Sequence, residues 1–101
     1  MPPVTLPRMR ALQIAELTGI GAVRPADVAV TASDTDVVID VRAAAVSFPD
    51  VLQSRGLYQY KPDLPFVPGA EVAGIVRTAP AGTGLAPGDR VAALTLLGGM
   101  A

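Results

Sequence analysis

Chemistry in a protein chain needs side chains that donate, accept, attack or ligate, and this sequence offers a narrow choice of them. Its 101 residues include no histidine and no cysteine. Imidazole acid–base catalysis, thiolate attack, disulfides and any Cys/His zinc site are therefore excluded. What remains is a run of polar groups set in apolar sequence. Ser47 and Asp50 lie in Ser47-Phe48-Pro49-Asp50, Tyr58 and Tyr60 follow, and Glu71 comes after Gly69-Ala70. A hydroxyl from Ser47 or Tyr58 could donate to an oxygen on which negative charge develops and so lower a reaction barrier. The sequence alone assigns none of them a catalytic role.

Each of these residues also has a structural reading. Ser47 stands where a helix N-cap belongs, with a carboxylate three residues on. A cap residue can also sit on a cleft wall, so the two readings are compatible. Asp50 reads as a first-turn carboxylate favoured by the helix dipole. Tyr58 is either a loop aromatic packed on a sheet edge or a hydroxyl donor. Glu71 reads as a structural carboxylate paired with an arginine, with a site-lining role as the second option. Two glycine clusters imitate phosphate loops and fail. Gly19-Ile20-Gly21-Ala22-Val23-Arg24 has Arg24 at the third glycine position and Pro25 next, which prevents the crossover helix such a motif opens. Gly82-Thr83-Gly84 runs into Pro87.

The elements that must position these groups are mostly strands. Ten glycines and ten prolines punctuate short apolar runs, as in an all-β domain. Strands are predicted over 9–17, 27–31, 36–46, 71–78 and 90–97. In the third, Val37, Ile39, Val41, Ala43 and Ala45 share one face, while Asp40 and Arg42 take the other. A helix of barely two turns is predicted from the Ser47 cap to a stop at Gly56, with Pro49 in its first turn. Ala86-Pro87-Gly88-Asp89 has the residues of a type II turn. The loop 57–68 holds Tyr58, Tyr60 and Phe66, and a long aromatic loop is more often functional than neutral.

Composition narrows the remaining classes. Half the residues are hydrophobic and 17% are charged, so a folded domain is expected. Ala, Val and Leu dominate, with two Tyr and two Phe, so burial per residue is modest. The net charge is −1 and the basic residues are scattered, which argues against nucleic acid. No apolar run approaches the length of a membrane helix, and Met1-Pro2-Pro3-Val4 does not read as a secretory leader. A cytoplasmic location is the default expectation.

Four segments, taken together, carry a family resemblance. They are Ala44-Ala45-Val46-Ser47-Phe48-Pro49-Asp50-Val51-Leu52, Gly56-Leu57-Tyr58, Leu64-Pro65-Phe66-Val67-Pro68-Gly69-Ala70-Glu71-Val72-Ala73-Gly74-Ile75-Val76, and Pro87-Gly88-Asp89-Arg90-Val91. In order and spacing they resemble the N-terminal domain of the medium-chain dehydrogenase/reductase superfamily, nearest to its zinc-independent quinone oxidoreductases. The resemblance implies a mainly β, GroES-like, partly open barrel with one or two short helices over 1–101, and no Rossmann domain in this chain. Where the zinc-dependent branch carries a metal-binding Cys and the His of a Gly-His-Glu motif, this chain has Ser47 and Ala70, so no metal is expected. The related reductases commonly carry Asn at the position of Ser47, and tyrosines at those of Leu52 and Tyr58. By that likeness Ser47 and Tyr58 face the cofactor, and Phe48 and Leu52 line the substrate pocket.

The implied function is the substrate side of an NAD(P)H-dependent reductase acting on a quinone or enone. NADPH or NADH would be bound mainly by a C-terminal Rossmann domain, the expected partner. Two alternatives remain: a stand-alone GroES-like assembly module without catalysis, and an enoyl-reductase module of a synthase. If a partner domain is missing, Phe48, Leu52, Tyr58, Leu96, Leu97 and Met100 are expected on an apolar cleft face. Self-association into a homodimer through that face is one expected consequence.

Overall fold

The computed structural model describes residues 8–29 and 32–101. Their order is β1 (Arg8–Ile14), a 3-10 turn (Ile20–Ala22), β2 (Val23–Ala29), β3 (Val38–Ala44), α1 (Phe48–Ser54), β4 (Glu71–Thr78) and β5 (Arg90–Leu94). All pairings are antiparallel: β1 with β2 in one sheet, and β3-β4-β5 in another. The architecture is mainly β with one α-helix, and the barrel is not closed.

Among the described residues no strand ladder joins the two sheets, and main-chain bonds instead tie β1 to the segments that flank the second sheet. Ile14 and Phe66 exchange both of theirs, at 2.8 and 3.0 Å. The C-terminal residues clasp the same seam: Leu12 N–H donates to Met100 O at 2.9 Å, and Met100 N–H to Pro68 O at 3.0 Å. The buried apolar core is small, comprising Ala11, Ile14, Phe66, Val72 and Val76. A hollow of about 750 Å³ remains between the sheets, lined by Met9, Val28, Ile39, Val67 and Leu97 among others. Small side chains leave that space unfilled, as the composition implied.

Strand β2 begins earlier than predicted, at Val23 rather than Asp27, and it contains Pro25. Proline is tolerated because Leu12, its partner across the ladder, turns its N–H away to Met100. The Leu12–Pro25 pair is thus a non-hydrogen-bonded one, where a missing N–H costs nothing. The predicted far end of this strand, at Val30 and Thr31, lies outside the described residues, as do residues 1–7. Strand β1 stops at Ile14, short of the predicted 17, and Gly19 supplies the positive φ (107°) that starts the 3-10 turn.

Strand β3 is shorter than predicted, and its alternation breaks. Val41 pairs with Gly74, but Ala43 pairs with Ala73, leaving Arg42 as an extra residue. This β-bulge moves Ala43 to the outer face and brings Ala44 inward, opposite the buried Val72. The expectation that Ala43 and Ala45 share the core face with Val41 is therefore corrected: both are exposed. On the outer face Arg77 Nε donates to Asp40 Oδ1 at 2.8 Å. That hydrogen bond holds the Asp40 carboxyl below its ordinary value, against desolvation and with smaller help from the Arg77 and Arg42 charges.

Strand β4 matches its predicted bounds and alternates cleanly. Val72, Gly74 and Val76 face inward and buried, while Glu71, Ala73 and Arg77 face out. Gly74 is required by close approach, since a Cβ there would lie 2.2 Å from Asp40 O and 2.7 Å from the Ile39 side chain. Strand β5 ends at Leu94, three residues earlier than predicted, because the Thr95 hydroxyl bonds Gly69 O at 2.7 Å and Leu96 takes a left-handed φ of 64°. The predicted type II turn forms, with Gly88 at φ 95° and Asp89 N–H bonded to Ala86 O.

Gly74→Ala must push β3 and β4 apart. The expected loss, measured by urea unfolding followed by circular dichroism, is about 1–3 kcal/mol, the range for overpacking a filled site.

Candidate functional site

Of the polar run singled out from sequence, Ser47 and Asp50 meet at the start of α1. Ser47 is extended (φ −127°, ψ 169°), and Phe48-Pro49-Asp50 form the first turn. Proline fits there because first-turn N–H groups have no helical acceptor. Ser47 and Asp50 are arranged as a capping box. Ser47 N–H donates to Asp50 Oδ2 at 2.8 Å, and the Ser47 hydroxyl donates to the same oxygen at 3.1 Å. A carboxylate oxygen only accepts, so the Ser47 proton is directed at Asp50 and Ser47 Oγ offers lone pairs elsewhere.

Asp50 is buried, and its second oxygen, Oδ1, has no hydrogen-bond partner. An unpaired buried acceptor is unfavourable unless a donor reaches it. The helix then closes as the sequence suggested, with Arg55 as C-cap, Gly56 at φ 69° and Leu57 N–H returned to Leu52 O at 2.9 Å. Gln53 and Ser54 are buried and anchor the back of α1, and Gly19 N–H donates to Ser54 O at 3.0 Å. So the glycine turn that failed as a phosphate loop serves to seat the helix.

The residues expected at the site separate into two groups. Ser47, Leu52 and Tyr58 are half-buried on and after α1, and Phe48 is 72% exposed. Val46 and Leu57, which sequence reasoning did not single out, flank them at 77% and 67% exposure. Their signal was present as apolar residues beside the cap. Leu97 and Met100 belong elsewhere: Leu97 lines the hollow between the sheets, and Met100 lies in the seam beside Leu12. Phe66, one of the three loop aromatics, is a core residue bonded to Ile14. Glu71 is exposed, and the expected arginine partner is not found, since Arg77–Asp40 is the only ion pair among the described residues.

None of Ser47, Phe48, Leu52 and Tyr58 lines either of the two larger hollows. Among the described residues no group of three acidic side chains converges as a metal site requires, and no helix is long and apolar enough to cross a membrane.

With this geometry, the comparisons are specific. Residues 33–100 match the alcohol dehydrogenase GroES-like domain, and the chain belongs to that family. Within the medium-chain dehydrogenase/reductase superfamily it falls in the quinone oxidoreductase branch. It is 41% identical over 66 residues to the quinone oxidoreductase-like protein 2 homolog of Nematostella vectensis, covering 64% of this chain and 18% of that protein. A probable oxidoreductase from Mycobacterium abscessus superposes with a TM-score of 0.89 at 45% identity, over 95% of this chain and 31% of that one. The quinone oxidoreductase of Thermus thermophilus, solved also in complex with NADPH, gives a TM-score of 0.74 at 33% identity, over 92% of this chain and 28% of that one. The chain thus spans less than a third of the length of each of these relatives.

Asp50→Ala removes the acceptor of both Ser47 bonds. The variant is expected to lose about 1–2 kcal/mol of stability in urea denaturation, the range for a broken N-cap. A change confined to a few tenths would show that the capping box does not hold α1.

Proposed function

We propose that residues 1–101 form the substrate-side domain of an NAD(P)H-dependent reductase that passes hydride to a quinone or enone without zinc. The observation that carries this reading is the exposure of apolar side chains around α1. Phe48 at 72% and Val46 at 77% exposure, beside a half-buried Ser47, make an apolar surface suited to a second wall. That second wall is a nucleotide-binding domain, consistent with the small share of the relatives that this chain covers.

The residues present fit a nicotinamide. Ser47 Oγ directs its proton to Asp50 and so accepts from a carboxamide N–H, and the orphaned Asp50 Oδ1 marks the same corner as short of donors. The cofactor, when bound, supplies the hydride. Tyr58 donates a hydrogen bond to the acceptor oxygen as negative charge develops on it. Phe48 and Leu52 pack against the planar substrate and exclude water. Neither a Cys nor a His is available to ligate zinc, which supports polarisation of the substrate by hydrogen bonding instead.

The test replaces the matching segment of the Mycobacterium abscessus protein with this chain. The chimera is expected to consume NADPH in the presence of a quinone or enone, and the 101 residues alone to show no turnover. Tyr58→Phe in the chimera is expected to lower kcat/KM by about ten- to a hundred-fold, at the low end of general-acid contributions. Robust turnover by the isolated chain, or an unchanged Tyr58→Phe chimera, defeats the proposal.

A further inference from the structure

The two edges of the three-stranded sheet are unlike. Strand β3 is blunted by register shifts at Val38/Ile39 and Val41/Ala43, and it carries the Asp40–Arg77 pair and the exposed Arg42. Such bulges and charges are the usual guards against edge pairing. Strand β5 has no bulge, and its one charge, Arg90, stands at its first residue. Its register with β4 is unbroken from Ile75↔Arg90 to Glu71↔Leu94. Leu94 is 84% exposed, and Ala92 and Arg90 are exposed beside it.

The hydrogen-bond phase of β5 follows from its ends. Thr95 N–H donates to Ala70 O, and Val76 N–H to Asp89 O. Counting by twos along an antiparallel ladder, Val91 and Ala93 direct their N–H and C=O groups to β4, while Arg90, Ala92 and Leu94 direct theirs outward. Among the described residues no main-chain bond reaches those outward groups. The same three side chains lie on the outer face with Glu71 and Ala73.

We propose that β5 is the pairing edge for a second copy of this chain, joined antiparallel about a two-fold axis at Ala92. That register sets Ala92 opposite its own copy and Arg90 opposite Leu94, and it satisfies the outward groups of all three residues. The charges agree with it. Across the outer face the order becomes Glu71, Leu94, then Arg90 of the second copy. Glu71 and that Arg90 are two strand spacings apart, about 9–10 Å between backbones, which the two side chains span together over Leu94. The two-fold axis makes the pair twice. Neither Glu71 nor Arg90 has a side-chain partner among the described residues of its own copy. This inference stands on the edge and register of β5, and it can fail or hold independently of the reductase reading.

Sedimentation equilibrium of the 101-residue chain tests it. A reversible monomer–dimer equilibrium is expected, weakening as salt is added. Arg90→Glu and Glu71→Arg should each raise the dissociation constant by about ten-fold, since each replaces two attractive pairs by two repulsive ones. The double exchange should restore it to within about three-fold of the original. Circular dichroism of each variant separates lost pairing from lost fold. Amide exchange gives a second reading on the unaltered chain. Protons of Arg90, Ala92 and Leu94 should slow with rising concentration, while those of Val91 and Ala93 should not change. A concentration-independent monomer, a dimer indifferent to the single exchanges, or protection that spares these three amides overturns the proposal.

Discussion

Among the described residues the two sheets share no ladder, and the paired main-chain bonds of Ile14 and Phe66 tie β1 to the loop that leads into β4. Ile14 is 1% exposed and Phe66 is buried, so the bonds form away from competing water. With so few large side chains in the core, burial alone gives limited orientation, and directional bonds carry more of the task. The Leu12–Met100 and Met100–Pro68 bonds extend the same seam. The glycines at the crossing are part of this constraint: a Cβ on Gly69 would lie 2.7 Å from Met100 N. The seam fixes the loop that carries Phe66 and Pro68, and through it the entry to β4.

From that frame the capping box at Ser47 and Asp50 acquires its chemical meaning. One carboxylate oxygen receives both Ser47 donors, and the other is buried without one. The arrangement orients a small acceptor at a helix corner and surrounds it with exposed apolar groups, Val46 and Phe48. In the proposed function this corner receives a polar planar group on a largely apolar body. The fold supplies the wall, and the chemistry proposed for it depends on what faces that wall.

The outer sheet face shows the opposite balance. Around Asp40 and Arg77 it is charged and closed to pairing, while toward Ala73, Ala92 and Leu94 it is small, apolar and flat. The bulge at Arg42 divides the two ends, since it turns Ala43 outward while keeping Ala44 in. A single inserted residue in β3 therefore decides both how the core closes and what surface the sheet presents.

The sequence by itself determined the class of element nearly everywhere: short strands between turns, one capped helix ending at Gly56, a type II turn at Pro87-Gly88, and the absence of imidazole and thiol chemistry. These are local properties, set by side-chain period, by backbone restrictions on proline and glycine, and by which functional groups exist at all. Only the tertiary structure decided that Pro25 lies inside a strand, because its tolerance depends on Leu12 bonding a residue near the other end of the chain. The same holds for Phe66, a core residue rather than a site aromatic, and for the outward turn of Ala43. It holds also for the proton of Ser47, whose direction depends on where Asp50 places its oxygen. Hydrogen-bond phase, bulges and donor direction are set by partners distant in sequence or by exact geometry, and no local pattern of residue types encodes them.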